Sequence, residues 1–321
     1  MVTGTVRSRR LAGILAASAL ALGFAALGGL AADPLGAIRW AGEVSFRRSG
    51  AREETFRGPS GEALHTWVAG PLSGEPPVVL LHGLGAASDY WAAVTRTLVR
   101  SGRTVVIPDA PGSGNSEAPA AAGWGLAGRV AALRSLVGAL GLSSFDLVGH
   151  SLGGWTAARY ALAEPRMVRR LVLVDPGGFS FPPGDDDSAF RRRLVPRSRE
   201  EGRDLLGLLF FRPPFPRAGF VIDALARNYS AVPVASTVAA IVREDGLVGR
   251  EREFPVGTVL IWGERETLFP LEDGRRAAGR LPGGRLLVIT GVGHDGPLEA
   301  PGPFTEALFA ALEGRPPATS P

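Results

Sequence analysis

The sequence predicts an α/β fold with a doubly covered, mostly parallel sheet and a helical lid insertion. The first observation is a set of six short apolar runs, at residues 78–81, 104–107, 145–148, 171–174, 258–262 and 286–290. The second is the set of helix-like stretches between them, at residues 90–100, 126–140, 155–163, 273–281 and 304–313. Strands buried on both faces and separated by helices are typical of parallel sheets, whose sites lie at the carboxyl ends of the strands.

The composition provides enough apolar material for a core and excludes several kinds of site. Of 321 residues, 45% are hydrophobic and 21% are charged. The chain has no cysteine, which excludes disulfides, thiol nucleophiles and thiolate metal ligands. Since it has only four histidines, a histidine-rich metal cluster is not expected either. We predict no metal site.

The net charge of +4 does not indicate a nucleic-acid partner. Arg7, Arg9 and Arg10 precede the first acidic residue, Asp33, so the rest of the chain is nearly neutral. A basic patch large enough to follow a phosphate backbone is therefore not expected.

The amino terminus has the pattern of an export segment. Residues 11–32 contain no charge and directly follow Arg9 and Arg10. This stretch is longer than the usual core of a signal peptide and long enough to span a bilayer. Either a removed signal peptide or a retained membrane anchor fits, with possible membrane association through residues 11–32. Both place the globular part outside the cytoplasm.

The alternation of strands and helices suggests how the rest of the chain is divided. We expect a connecting segment at 33–59, a first core part at 60–176, a lid insertion at 177–253, a second core part at 254–315 and a tail at 316–321. The insertion interrupts the alternation with proline clusters. Its aromatic side chains either line an apolar pocket or, as is commoner, hold the lid to the core; they are Phe179, Phe181, Phe210, Phe211, Phe215, Phe220 and Tyr229.

A candidate nucleophile lies where the strand at 145–148 ends. Residues 149–153 (GHSLG) match the pattern G-x-S-x-G, and a helix-like stretch follows. In this context the pattern forms a tight turn with the serine at its tip, and the flanking glycines let helix and strand approach. We therefore predict Ser151 as the nucleophile. The backbone N–H groups of Leu152 and of Leu84, which lies in the loop 82–85 (HGLG), are predicted to form an oxyanion hole.

A base and an acid are predicted at two later strand ends. His294 closes the glycine-rich turn 291–294 (GVGH) and is the best candidate for the base. Glu266, after the strand at 258–262, is predicted to orient the imidazole, and Asp175 at the end of 171–174 is the alternative acid. The order Ser151, Glu266, His294 is one that known triads adopt.

The other histidines are assigned structural places. His65 lies in an early extended segment, and His82 is expected to bond the backbone of its own loop. The side chain of His150 is expected on the opposite side of the elbow from the nucleophile. Asp109, in the stretch 109–116 (DAPGSGNS), is expected to form a structural turn that shapes the pocket floor.

These motifs together resemble the α/β-hydrolase superfamily over about residues 60 to 315. The resemblance is carried by His82-Gly83, Trp91, the stretch 109–116, the Ser151 elbow, the stretch 262–266, Gly293-His294 and the stretch 299–301. It implies a serine nucleophile, a histidine base, two backbone oxyanion donors and no cofactor. Members of the superfamily usually have Asp where Glu266 stands, so the acid is the least typical part of the set.

The leading functional expectation is hydrolysis of a carboxylic ester of a small apolar substrate through an acyl-enzyme. The same triad also hydrolyses C–C bonds, amides and lactones, so these reactions remain open. A non-catalytic hydrolase-like module that binds a ligand or partner is the alternative of a different class. An aspartate-nucleophile reaction such as dehalogenation is disfavoured because the elbow carries serine. The sequence makes no prediction about the oligomeric state.

Overall fold

The computed structural model describes residues 33–72, 74–180 and 188–315, and these are organised around an eight-stranded sheet. The strands are β1 (Arg52–Arg57), β2 (Ala63–Ala69), β3 (Val78–Leu81), β4 (Val105–Pro108), β5 (Phe145–His150), β6 (Val168–Val174), β7 (Val259–Gly263) and β8 (Arg285–Ile289). Their spatial order is β1-β2-β4-β3-β5-β6-β7-β8. Strand β2 is antiparallel to both of its neighbours, and the other adjacent pairs are parallel.

The α-helices in the described part of the chain connect and cover these strands. They are α1 (Pro34–Arg48), α2 (Ala92–Arg100), α3 (Leu126–Ala139), α4 (Leu152–Ala163), α5 (Ser188–Leu194), α6 (Arg199–Leu209), α7 (Gly219–Ser230), α8 (Val232–Ala240), α9 (Leu271–Ala278), α10 (Gly296–Glu299) and α11 (Pro301–Glu313). A 3₁₀ turn, Ser88–Trp91, leads into α2.

Both faces of the sheet are covered, as the sequence predicts. Successive residues of a strand point to opposite faces. In β3, Val79 and Leu81 belong to one apolar cluster, whereas Val78 and Leu80 belong to the other. All six predicted runs form parallel strands, and the predicted doubly covered, mostly parallel sheet is confirmed.

Residues 33–59, expected to be a connecting segment, contain α1 and β1. Helix α1 has a clear start signal, because the Asp33 side chain accepts a hydrogen bond from the Gly36 N–H at 2.9 Å and Pro34 occupies the first helical position. Its buried residues Gly42 and Phe46 face the core, and the helix lies beside α2 and α7.

The stretch between β6 and β7 is helical where it is described, with α5, α6, α7 and α8 in sequence. The Arg191 guanidinium of α5 donates to the carbonyls of Val238, Ala239 and Ile241 at the end of α8. This contact ties the first helix of the insertion to its last.

The apolar segment 11–32 lies outside the described residues. Of the helices formed by the part of the chain that is described, none is long and apolar enough to cross a membrane.

Candidate active site

Ser151 stands at a strained turn between β5 and α4. Its backbone has φ +54° and ψ −118°, a conformation that non-glycine residues adopt rarely. The Ser151 N–H donates to the Val174 carbonyl at 2.9 Å, and the Ser151 carbonyl accepts from the Trp155 N–H at 2.9 Å. The turn is therefore held on one side by β6 and on the other by the first turn of α4.

The glycines on either side of Ser151 allow this close approach. A Cβ on Gly149 would lie 2.3 Å from the Gly153 carbonyl oxygen. A Cβ on Gly153 would lie 2.4 Å from the carbonyl oxygens of both Leu81 and His82. Any side chain at these two positions would push helix α4 away from the sheet.

The loop after β3 lies directly against the elbow. An ideal Cβ on Gly83 would be 3.1 Å from Ser151 Cβ, so the loop backbone passes close to the serine. Among the hydrogen bonds of the described residues, none is donated by the N–H of Leu84 or Leu152. Both groups have the free donor that an oxyanion hole requires.

Two side chains of helix α7 hold this loop. The Tyr229 hydroxyl donates to the Leu84 carbonyl at 2.8 Å, and Asn228 Nδ2 donates to the Gly85 carbonyl at 2.7 Å. Two carbonyls of this loop thus accept hydrogen bonds from helix α7 of the insertion. The sequence gives no signal for the role of Asn228 and predicts only an apolar role for Tyr229.

His294 and Glu266 form a buried hydrogen-bonded pair. Nδ1 of His294 donates to Oε2 of Glu266, and the two residues are 2% and 7% exposed. The other carboxylate oxygen, Oε1, accepts from the backbone N–H groups of Leu268 and Phe269. These bonds fix the carboxylate, and the carboxylate fixes the tautomer of the imidazole with Nε2 free to accept a proton.

Asp175, the alternative acid, is bonded elsewhere. Its Oδ1 accepts from the Gly263 N–H at 2.9 Å, and its own backbone has a positive φ of +40°. Burial, together with the nearby Glu266 carboxylate, raises the pKa of Asp175 well above its ordinary value. Glu266 is therefore the carboxylate that contacts the His294 ring.

The electrostatic surroundings favour a charged His294. Burial of the ring opposes its charge, but Glu266, Asp295 and Asp175 outweigh burial and raise the pKa of His294 to about 9. Burial raises the pKa of Asp295, the next residue, to about 7. The Phe269 ring packs in a T-shaped arrangement against the imidazole, with the two ring centroids 5.6 Å apart.

Ser151, His294, Leu84 and Leu152 all line one cavity of about 180 Å³. Its wall is largely apolar, with contributions from the core and from the helical insertion. Apolar side chains of this wall include Phe190, Leu194, Leu209, Phe210, Phe215, Leu225 and Phe269.

The aromatic residues of the insertion divide between the two expected roles. Phe210, Phe215 and Tyr229 line the cavity. Phe179 instead packs on Phe254, with ring centroids 5.9 Å apart. Phe211 and Phe220 are exposed. Phe181 lies outside the described residues.

Helix α1 contributes a wall of the cavity that the sequence patterns do not predict. Leu35, Ile38 and Arg39 of this helix line the same space as Ser151 and His294. The Asp33-Pro34 pair could have revealed the helix, since it is a helix-start signal. Nothing in the local sequence indicates that the helix reaches a site formed more than a hundred residues later.

His82 and His65 make structural hydrogen bonds. The ring of His82 bonds its own loop, with Nδ1 2.8 Å from the Gly83 carbonyl, and its Nε2 accepts from the Ala110 N–H at 3.0 Å. Nδ1 of His65 bonds Asp109 at 2.9 Å. Asp109 also accepts from two backbone N–H groups, as expected for a structural turn.

The expected orientation of His150 is wrong. Its ring centroid lies 4.8 Å from that of His294, and the side chain lines the same cavity. Strict alternation along a strand would turn it away from Ser151. Ser151 has left the strand conformation, so alternation no longer relates these two neighbours.

The comparisons with known proteins agree with this architecture. Residues 76–203 match the family described as the alpha/beta hydrolase fold. Lipase 1 of Psychrobacter immobilis is 26% identical over 75% of this chain and 78% of its own length. A 2-hydroxy-6-oxononadienedioate/2-hydroxy-6-oxononatrienedioate hydrolase of Pseudomonas putida is 28% identical over 75% of this chain and 88% of its own length.

A solved structure extends the likeness to most of the fold. The crystal structure of a putative lipase from Acinetobacter baumannii superimposes with a TM-score of 0.74 at 23% identity, over 86% of this chain and 96% of that one. At this identity the structural likeness establishes the fold, and the matching family model covers the segment that contains the serine elbow. The chain therefore has the α/β-hydrolase fold, and the family model of that fold matches its residues 76–203.

Proposed function

We propose that the protein is a serine hydrolase that cleaves a carboxylic ester, or a related acyl bond, of a small apolar substrate through an acyl-enzyme. One observation carries the proposal. The strained Ser151 and His294 line a single apolar cavity, together with two backbone N–H groups that have no other acceptor among the described residues, and Glu266 accepts a hydrogen bond from His294 behind that wall.

The chemistry follows from these groups. Nε2 of neutral His294 takes the proton of the Ser151 hydroxyl as its oxygen attacks the substrate carbonyl carbon. The N–H groups of Leu84 and Leu152 stabilise the negative charge that develops on the carbonyl oxygen. The imidazolium then gives its proton to the departing alkoxide, which leaves as the alcohol. Water repeats the sequence on the acyl-enzyme and releases the acid.

The cavity lining favours an apolar ester over a doubly carboxylated substrate. Arg39 is the only lysine or arginine among the described residues that line the cavity. The Pseudomonas putida relative is named for a dioate, whose two carboxylates would meet a mostly apolar wall here. Relatives named as lipases support the ester reaction.

Replacing the nucleophile tests the proposal. In the full chain, Ser151→Ala is expected to lower kcat on a short-chain p-nitrophenyl ester by about a thousandfold or more, because alanine has no hydroxyl with which to form the acyl-enzyme. The matched control is Ser135→Ala, a substitution on the partly buried face of α3 whose hydroxyl bonds only the Ala131 carbonyl. The control should retain wild-type turnover.

Labelling by a fluorophosphonate probe separates an enzyme from a binding module. Wild-type protein should be labelled and Ser151→Ala should not. Wild-type turnover in Ser151→Ala, or a folded wild-type protein that the probe does not label, contradicts the proposal.

We also propose that residues 11–32 export the protein, as a removed signal peptide or as a retained anchor. The support is the charge-free apolar stretch after Arg9 and Arg10. Intact mass of the protein recovered from extracytoplasmic and membrane fractions distinguishes the two forms. Recovery of the uncut chain from the cytoplasm alone contradicts both.

A further inference from the structure

The residue before the predicted nucleophile makes a direct contact with the residue predicted as the base. His150 is the last residue of β5 and is 2% exposed. Its Nε2 lies 2.9 Å from the backbone carbonyl oxygen of His294, a residue 144 positions later in the chain. A single hydrogen bond thus joins the strand that presents Ser151 to the turn that presents His294.

This contact determines the tautomer of His150. A carbonyl oxygen only accepts hydrogen bonds, so Nε2 of His150 must carry the hydrogen. Nδ1 is then unprotonated, and among the described residues it has no hydrogen-bond partner. It faces the tight loop after β3, since a Cβ on Gly83 would lie 3.0 Å from it.

The surroundings keep His150 in one orientation and without charge. Its ring stacks on Tyr90, with centroids 4.8 Å apart and an interplanar angle of 19°. The other titratable groups near it are the His294 ring, His82, and Asp295, whose Oδ1 lies 3.9 Å from Nε2. Burial, followed by the neighbouring His294, lowers the pKa of His150 well below its ordinary value.

The turn that carries His294 needs external support because it is rich in glycine. Gly291 has φ +70° and Gly293 adds further freedom. The N–H of Gly293 donates to Glu299 at 2.9 Å, and the N–H of Asp295 donates to the Leu209 carbonyl at 3.0 Å. His150 supplies a further anchor, and it comes from the strand that directly precedes the serine.

We propose that His150 is a positioning residue, which holds the backbone of His294 so that the imidazole stays directed towards Ser151. This inference rests on the proposed serine hydrolase function. His150 does not accept the proton itself. Its contribution is to fix the distance between two groups that must meet for proton transfer, and small displacements of such groups reduce rates strongly.

Two substitutions separate the hydrogen bond from the ring. His150→Phe keeps an aromatic ring for stacking on Tyr90 but has no donor. His150→Gln has no ring but places an N–H at about the same distance from the backbone. We expect kcat to fall about ten- to a hundredfold in His150→Phe, because the buried carbonyl loses its donor. In His150→Gln we expect kcat to stay within about fivefold of wild type, with KM within about threefold in both variants.

The rescue by glutamine is the decisive result. A kcat in His150→Phe close to wild type overturns the proposal, and so does a loss in His150→Gln as large as that in His150→Phe. A rise in KM without a fall in kcat also overturns it, since it indicates a role in shaping the cavity. Melting temperatures of the variants show whether a lost rate reflects unfolding.

A measurement on the wild-type protein keeps the proposal testable if neither variant folds. The chain has four histidines, so ¹⁵N NMR of the imidazoles resolves each ring. His150 should show the Nε2–H tautomer without titrating between about pH 6 and 9. An Nδ1–H tautomer, or titration in that range, overturns the proposal. This result is independent of activity, whereas an active Ser151→Ala would refute the underlying function instead.

Discussion

At the scale of single residues, the acid beside His294 is the least typical feature of the site. Glutamate is one methylene longer than the aspartate usual in the superfamily that the motifs resemble. Here the extra length is accommodated because Oε1 of Glu266 accepts two backbone N–H groups while Oε2 accepts from His294. The carboxylate is held at both oxygens, so its added rotatable bond does not loosen the imidazole.

The Glu266→Gln substitution tests this assignment. The amide keeps the size of the side chain but cannot stabilise the imidazolium that forms during attack. We expect kcat to fall about 10³- to 10⁴-fold on the same ester. The measurement is steady-state kinetics on folded protein, with circular dichroism to verify the fold.

Asp175→Asn is the matched control for Glu266→Gln. Asp175 bonds the Gly263 N–H, and its amide analogue can still accept that bond. We expect its kcat to remain within about tenfold of wild type. If Asp175→Asn loses as much activity as Glu266→Gln, the acid assignment is reversed.

Sequence patterns predict which residues form the candidate site. They predict less well the directions in which the side chains next to those residues point. Strand-end motifs predict Ser151, His294 and Glu266. The structure brings Ser151 and His294 to one cavity and places Glu266 in hydrogen-bond contact with His294. The orientation of His150 was missed because Ser151, with φ +54°, interrupts the alternation of the strand. That torsion depends on the packing of β6 and α4, which the local sequence does not encode.

At the scale of elements, the buried parallel strands are the most predictable part of the fold. Their apolar runs reflect burial on both faces. Strand β1 (REETFR) was missed because it pairs with only one strand at the sheet edge and its charged side chains remain in water. Helix α1 has a recognisable start, but its contact with the cavity arises from long-range packing against α2 and α7.

Helix α1 gives a prediction about substrate length. Ile38 lines the cavity, so Ile38→Trp should occupy space needed by a long acyl chain. We expect kcat/KM for medium-chain p-nitrophenyl esters to fall about tenfold or more, with little change for the acetate. The preferred acyl length should therefore become shorter, which an ester panel measures directly.

Ala41→Trp is the control on the same helix. Ala41 is exposed and faces a separate groove with Arg48 and Arg100. Its enlargement should leave the chain-length profile unchanged. An equal change in both variants, or none in Ile38→Trp, would show that α1 does not limit the acyl site.

At the scale of the whole molecule, the buried charges link activity and stability to pH in opposite directions. Folding raises the pKa of His294 from 6.5 to about 9 and that of Asp295 from 3.8 to about 7. A raised pKa means that the native state binds the proton more tightly than the unfolded chain. The resulting stabilisation of the folded state is complete at a pH below the pKa of the unfolded chain. It is lost as the pH rises through the pKa of the folded state.

Between pH 7 and 9 we therefore expect kcat/KM to rise while the melting temperature falls. Activity requires neutral His294, so kcat/KM should increase about tenfold per pH unit below the pKa of about 9. The lowered pKa values of His82 and His150 change the stability only below this pH range, because these rings titrate near 6.5 in the unfolded chain. Arg129, with a pKa lowered to about 10, changes the stability only above pH 9.

Paired pH series of kinetics and thermal unfolding check this expectation. Glu266→Gln is informative because removal of the carboxylate should lower the pKa of His294. The rise of kcat/KM with pH should then occur at lower pH, and the melting temperature should fall less between pH 7 and 9. A kcat/KM that is constant from pH 7 to 9, or a melting temperature that rises over the same range, is the opposite result.

The cap of helix α1 has a further consequence. Asp33 accepts the Gly36 N–H, and Leu35, in the first turn, already forms part of the cavity wall. Proteolytic processing at the peptide bond before Asp33 would create a new ammonium group beside that cap, where positive charge opposes the helix dipole. Maturation at that bond would loosen the first turn and thereby alter the part of the cavity wall that Leu35 forms.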